Sequence, residues 1–267
     1  MTQYETFTNK GTREINEDRY GVAMYGDSYC FTIADGLGGH GNGEIAAQAA
    51  VDAICTMFVD EGYSDVFFKK AFSAAQDAIV QQQGRLQAPS QMKTTLVALV
   101  IHEGKAIWAH VGDSRLYDFK RGKLKVRTID HSVPQMLAIS GEIEEKDIRH
   151  HPDRNRLMRV MGIQGEEPRY DISPMVRLHG EHAFLLCTDG FWELLEDVDM
   201  ARLQRESPSP SLWMTRMTKI IRENGKDGEM DNYTAIAVYT KGKNILGKCP
   251  HQKGLKRPRQ RHSWHIC

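Results

Sequence analysis

Hydrophobic side chains recur along this chain at two different periods. Residues 29–34, Tyr-Cys-Phe-Thr-Ile-Ala, are apolar almost without interruption and stop at Asp35 and a glycine-rich turn, the pattern of a buried strand feeding a loop. Over 44–59, Ile45, Ala49, Ala50, Ala53, Ile54, Met57 and Phe58 return at helical spacing. Phe67, Phe68, Ala71, Phe72, Ala75, Ala78 and Ile79 do the same over 64–83, with Gly84 as the expected stop. Both stripes read as core-facing packing. Runs at 93–102 and 106–111 predict a hairpin turning at Glu103-Gly104-Lys105, and a third run at 115–119, beyond Gly112-Asp113-Ser114, extends it to a meander. Strand character returns at 183–187 and 233–239, with a helix over 212–221 between them.

Two stretches break this pattern. Residues 131–170 are polar and punctuated by Pro134, Pro152 and Pro168, with helical fragments only at 135–139 and 144–148, which predicts an irregular surface excursion. From 241 onward no periodicity remains, so the expected organisation is one domain over 1–240 and a mobile tail over 241–267.

Composition sharpens the division. The 267 residues are 40% hydrophobic and 26% charged, as in ordinary globular proteins, and none of the apolar runs approaches membrane-span length. The N-terminus shows neither the basic nor the apolar region of a secretory signal, which predicts a cytoplasmic protein. Five cysteines at irregular spacing, with no C-x-x-C pair, read as reduced thiols. The formal charge is zero, but Lys241, Lys243, Lys248, Lys253, Lys256, Arg257, Arg259 and Arg261 face no Asp or Glu in the last 27 residues. Residues 1–240 are left with 27 basic against 35 acidic residues, a net of −8. The basic tail reads as a solubilising end, as an electrostatic contact with an anionic partner such as nucleic acid or membrane, or as a docking segment for an acidic protein.

The candidate chemistry lies in acidic residues placed where strands end: Asp18, Asp35 before Gly36, Asp113, Asp189 before Gly190, and Asp231 before Asn232. Carboxylates with a backbone carbonyl, and no Cys or His cluster, form the ligand set of hard cations such as Mg²⁺ or Mn²⁺. Other routes are missing their residues. No cysteine is followed six positions later by arginine, there is no G-x-S-x-G elbow, and there is no G-x-x-x-x-G-K-[ST] loop.

Taken in order, Arg13-Glu-Ile-Asn16-Glu17-Asp18, Ala34-Asp35-Gly36-Leu-Gly-Gly-His40, Thr94-Thr95, Gly112-Asp113-Ser114-Arg115, Asp130-His131-Ser132, Thr188-Asp189-Gly190 and Asp231-Asn232 resemble the metal-dependent protein serine/threonine phosphatases of the type 2C class, in their compact bacterial form. The resemblance runs from about residue 5 to about residue 240, and 131–170 is similar to the flap segment of those enzymes. It implies an α+β fold, a four-layer α/β/β/α sandwich of two central antiparallel sheets flanked by helices. It also implies two Mn²⁺ or Mg²⁺ ions held by Asp18, Asp35, the Gly36 carbonyl, Asp189 and Asp231, with Asp35 bridging. Glu17 would act on metal-bound water, Arg13 would grip the substrate phosphate, and Asp113 would help hold a third, weaker ion. The implied reaction is hydrolysis of phosphoserine and phosphothreonine by in-line attack of a metal-bridged water. Its partners would be phosphorylated proteins and a cognate serine/threonine kinase, and the chain is expected to act as a monomer.

Some positions depart from the pattern. Leu37 stands where many eukaryotic relatives carry a histidine, which leaves the proton donor open between His40, for which a structural reading also stands, and metal-bound water. Lys93 replaces a glycine before Thr94-Thr95, which are assigned to strand packing, and His131 and His151 to structural hydrogen bonds. Asp113 has an alternative role as a buried carboxylate supporting Arg115 or the Asp189 loop. Arg154 and Arg156 read either as a solvated flap surface or as contacts to a phosphoprotein. The alternative function is a catalytically weak phosphoprotein-binding module of the same fold.

Overall fold

Side chains of a strand alternate between its two faces, so a strand that is apolar on both must be covered twice. In the computed structural model, which describes residues 2–38, 42–87 and 92–242, two stacked antiparallel sheets meet this requirement. The strands β1 (Thr2–Asn9), β2 (Arg19–Tyr25) and β3 (Ser28–Ala34) are followed by the two-residue β4 (Gly36–Leu37). Helices α1 (Gly43–Glu61) and α2 (Phe67–Leu86) lead to β5 (Lys93–Thr94), which pairs with β4, and then to the hairpin of β6 (Leu96–His102) and β7 (Lys105–Val111). Next come β8 (Arg115–Lys120), β9 (Lys123–Arg127), α3 (Val133–Ser140) and a 3-10 turn, Glu145–His150. Short strands β10 (Asp171–Ile172) and β11 (Val176–Arg177) both pair with β7. The chain then forms β12 (Glu181–Cys187), α4 (Asp189–Trp192), α5 (Asp197–Glu206), α6 (Pro210–Gly225) and β13 (Tyr233–Lys241).

One sheet runs β1-β13-β12-β8-β9 and the other β10-β7-β6-β3-β2. Alternation sorts their side chains into three buried layers. Phe31, Val97, Leu99, Phe184, Leu186 and Val238 fill the space between the sheets. Cys30, Ala98 and Val100 face α1 and α2, while Tyr117, Leu185 and Ala235 face Trp213 and Met217 of α6. The fold is therefore α+β, a four-layer α/β/β/α sandwich.

Several expectations are corrected. The third run of the supposed meander does not join the hairpin: β8 pairs with β12 and β9 in the opposite sheet. The crossing is made at Gly112, whose φ of 96° is left-handed. Alternation along a strand says how it is covered, not which sheet takes it. Gly84 does not stop α2, which runs to Leu86 and ends where Gln87 adopts φ 52°. The Gln83 side chain, donating to the carbonyls of Met92 and Gly162 at 2.8 and 2.7 Å, anchors the turn that contains the glycine. The 93–102 run is two strands, β5 and β6. Strands β1, β2 and β9 and helices α4 and α5 were not expected. β1, β2 and β9 lie at sheet edges, where exposed polar residues dilute the alternation. α5 buries only Met200 and Leu203, and α4 is a single turn. No helix among the described residues is long and apolar enough to cross a membrane. All but Lys241 and Gly242 of the basic tail, and with it Cys249 and Cys267, lies outside the described residues.

Candidate functional site

The strand register brings the acidic residues to one end of the sandwich. Arg19 pairs with Ala34, Leu96 with Val111, and Cys187 with both Arg115 and Ala235. The starts of β2, β6, β8 and β13 and the ends of β3, β7 and β12 therefore share an edge. The loops at that edge carry Asp18, Asp35, Asp113, Asp189 and Asp231. They surround a cleft of about 460 Å³ lined by Arg13, Glu17, Asp35, Gly36, Asp113, Asp189 and Asp231, with Asn155 and Leu157 of the 131–170 segment on its outer wall.

Local bonding fixes each loop. The Asp35 carbonyl accepts from Thr94 Oγ1 at 2.8 Å and from the Thr95 amide at 2.9 Å, and its own amide donates to Thr95 Oγ1 at 3.0 Å. Thr94 and Thr95 are thus backbone clamps for the Asp35 turn; Thr94 is also a strand residue, whereas Thr95 falls between β5 and β6, outside the expected strand. A Cβ at Gly36 would collide with the Gly43 backbone and the Glu17 carbonyl, so only glycine allows this approach of β4 to the start of α1. Asp18 is buried, and its Oδ2 accepts from Thr188 Oγ1 at 2.9 Å. Asp189 begins α4 and accepts from the Gly190 amide through Oδ1. Asp231 Oδ2 accepts from Arg13 Nη2 at 2.8 Å, so the Arg13 guanidinium is tied to a carboxylate at the cleft wall.

Charge in the cleft is unbalanced. Burial pushes the carboxyls of Asp18 and Asp113 up to about 7, with hydrogen bonds from Thr234 and Thr188 opposing the shift at Asp18. Burial, reinforced by the neighbouring carboxylates, holds Asp35 and Asp189 well above the ordinary carboxylate range. Glu17 is raised by burial and then by Glu44. Arg13 is the one basic side chain lining the cleft among the described residues. Asp18 Oδ1 is buried with no partner. A set of oxygen donors with an orphaned, buried carboxylate oxygen fits hard divalent cations, which remove the mutual repulsion.

The other candidates fall as follows. His40 lies outside the described residues. Asp113 does not hydrogen-bond Arg115, although the arginine's charge favours its ionised form; Arg115 is buried in a bidentate pair with Asp130 at 2.6 and 2.9 Å and lies over the Trp192 ring at 3.4 Å. Asp113 instead offers its carbonyl to Trp192 Nε1 at 3.0 Å. His131 Nδ1 accepts from the Gly112 amide, 19 residues away, and His151 Nδ1 from the Asp153 amide, both structural bonds. Arg154 pairs with Glu193 at 2.9 Å, and Arg156 is mostly exposed. Sequence reasoning assigned no role to Thr188, Asn232 or Glu193. Asn232 Oδ1 accepts from the Glu17 amide at 2.7 Å, and its Nδ2 donates to the carbonyls of Lys10 and Ile15. Its place next to Asp231 was the available signal. Glu193 carries none beyond following Asp189 by one helical turn.

Comparison with known proteins gives the family and the fold. The model of the Protein phosphatase 2C family matches residues 9–233. The serine/threonine phosphatase stp of Listeria welshimeri is 29% identical over 240 residues, covering 86% of this chain and 93% of that protein. A crystal structure described as a bacterial serine phosphatase superposes with a TM-score of 0.82 at 24% identity, covering 92% of this chain and all of the other. The catalytic domain of the phosphatase PstP in complex with two manganese ions superposes at 0.75 with 26% identity, covering 91% and 99%.

Proposed function

The chain belongs to the protein phosphatase 2C family, and from that premise we propose that it is a metal-dependent serine/threonine phosphatase acting on phosphorylated proteins. The observation that carries the reading is the convergence of Asp18, Asp35, Asp113, Asp189 and Asp231 on one cleft with Arg13 as its one basic lining residue among the described residues. We assign the catalytic unit to residues 1–240, with 131–170 as its flap, and expect it to act as a monomer that reverses a serine/threonine kinase.

In this reading Asp18, Asp35, Asp189 and Asp231 with the Gly36 carbonyl hold two Mn²⁺ or Mg²⁺ ions, and Asp113 helps hold a third. Such ions supply Lewis-acid activation of water and neutralise charge on the phosphoryl group. The chain's own residues do the rest. Arg13 spends one terminal nitrogen on Asp231, and its remaining N–H donors can fork two phosphate oxygens, fixing the phosphate relative to the carboxylate wall. Glu17, whose proton affinity is raised by burial, is suited to take up a proton at the cleft edge. Among the described residues, no cysteine fits the role of nucleophile. Burial pushes the Cys30 and Cys187 thiols far up and that of Cys55 to about 11, so none is a thiolate at neutral pH.

The test is hydrolysis of a phosphothreonine peptide in EDTA, Mg²⁺ or Mn²⁺. Turnover that needs the metal, dies in Asp189→Asn and survives Cys187→Ser is the expected result. A folded protein with no turnover in any divalent metal overturns the enzymatic reading in favour of a phosphoprotein-binding module.

A further inference from the structure

The flap meets the body through arginines spaced five apart. Near its base, Arg149 is almost buried, donating to the Leu195 carbonyl at 3.0 Å and to Asp197 Oδ1 at 3.2 Å. Near its end, Arg159 pairs with Asp171 at 3.0 Å. Between them the chain makes a tight turn over 151–156. There the Arg154 amide donates to the His151 carbonyl at 3.1 Å, the Asp153 amide to His151 Nδ1 at 3.1 Å, and the Arg156 amide to the Asp153 carbonyl at 2.9 Å. These bonds shape the turn, and at its end the Val133 amide donates to the Arg156 carbonyl at 2.9 Å, tying it to the start of α3. Its side-chain attachment toward α4 is Arg154, whose Nε lies 2.9 Å from Glu193 Oε1. The Glu193 amide in turn donates to the Asp189 carbonyl at 2.8 Å. Two residues just after Arg154 in the chain, Asn155 and Leu157, line the outer wall of the carboxylate cleft.

We infer that Arg154 is a positioning residue: by pairing with Glu193 it seats the flap turn against α4, so that Asn155 stands at the mouth of the cleft beside Leu157, which a backbone bridge to Ser132 holds, and the two contact the polypeptide that carries the phosphorylated side chain. The inference rests on the phosphatase reading for its substrate class and on geometry alone for the latch. A small aryl phosphate reaches the carboxylates without needing the wall, whereas a peptide leaves the cleft across it. Binding energy from such remote contacts distinguishes the two substrates. The pair is partly exposed, with side chains 40% and 19% accessible, which limits it to the modest strength of a surface ion pair.

The experiment uses the full chain and the variants Arg154→Gln, Arg154→Lys, Glu193→Gln and the double Arg154→Gln/Glu193→Gln. Backbone amide exchange over 151–157 is read in EDTA, and turnover in Mn²⁺ is read on a phosphothreonine peptide and on p-nitrophenyl phosphate. For Arg154→Gln the expected result is faster exchange in the turn and a rise of about fivefold in KM for the peptide, the most such a pair carries, with kcat on p-nitrophenyl phosphate unchanged. Arg154→Lys should restore most of both. In exchange, the double variant should go no further than either single one, because both remove the same contact. Unchanged exchange in Arg154→Gln, additive exchange effects in the double, or equal losses on both substrates would overturn the latch. If the wild-type protein hydrolyses neither substrate, the phosphatase reading fails, and the exchange data still judge the latch.

Discussion

Thr188 Oγ1 donates to Asp18 Oδ2 at 2.9 Å across 170 residues of sequence, and the same hydroxyl accepts from the Thr234 amide at 3.0 Å. One hydroxyl thus joins the loop before β2 to the end of β12 and the start of β13. It also orients Asp18 so that Oδ1, which has no partner, is left for a ligand. Replacing Thr188 with valine keeps the shape and removes the bonds, leaving the buried Thr234 amide unpaired and Asp18 one donor short. The expected cost is about 1–3 kcal/mol in urea denaturation, together with weaker Mn²⁺ binding by calorimetry. A variant as stable as wild type would show that the hydroxyl is dispensable.

Stability without metal should fall as pH rises. The Asp18 and Asp113 carboxyls move from an ordinary value of 3.8 to about 7 on folding, chiefly through burial. A raised folded value means the native state binds more protons than the unfolded chain. Its contribution is fully present below about 4 and is lost as pH climbs through about 7. In EDTA the urea midpoint should therefore be higher at pH 5 than at pH 7.5. Added Mn²⁺ competes with those protons, so its stabilisation should be larger at pH 7.5. Equal stabilisation at both pH values would show that the cation does not bind these carboxylates.

Gly36→Ala tests the backbone approach at the proposed Gly36 carbonyl site. The added methyl meets the Gly43 backbone and the Glu17 carbonyl, none of which is a flexible side-chain end that could swing away. Overpacking of this kind costs about 1–3 kcal/mol, and here the displacement would fall on β4 and the start of α1. Reduced thermal stability and a loss of Mn²⁺ affinity larger than that of Thr188→Val are expected.

Legibility followed burial and local signal. β3, β6, β7, β12 and β13, apolar over most of their length, and the striped helices α1, α2 and α6 could be read from sequence with ends off by a few residues. The edge strands β1, β2 and β9 could not, because one flank of each faces solvent and tolerates polar residues at any position. The carboxylates were visible because each follows or precedes a strand beside glycine or a polar turn. Their supports were not. Nothing local to Thr188 or Asn232 announces a partner far away in sequence, and the Arg154–Glu193 and Arg13–Asp231 pairs depend on tertiary proximity. The sheet exchange at Gly112 was hidden for the same reason, since alternation is identical in either sheet.

Arg115 carries the largest expected stability effect. Its guanidinium is fully buried, forked on Asp130 at 2.6 and 2.9 Å, and stacked on Trp192, whose Nε1 holds the Asp113 carbonyl. Burial alone would favour losing its proton, but Asp130 and the hydrogen bonds to it and to Tyr117 hold its affinity well above the ordinary value, so the charge stays. Removing the arginine strands Asp130 as an unpaired buried carboxylate, a change that costs about 3–5 kcal/mol in comparable pairs. Arg115→Met should therefore be far less stable than wild type, while Arg115→Met/Asp130→Leu should recover much of the loss, because no charge is left uncompensated. If the double variant were as unstable as the single, the cost would lie in the Trp192 stack and the placement of Asp113 rather than in the stranded charge. Thermal denaturation of the three proteins in EDTA separates these two sources.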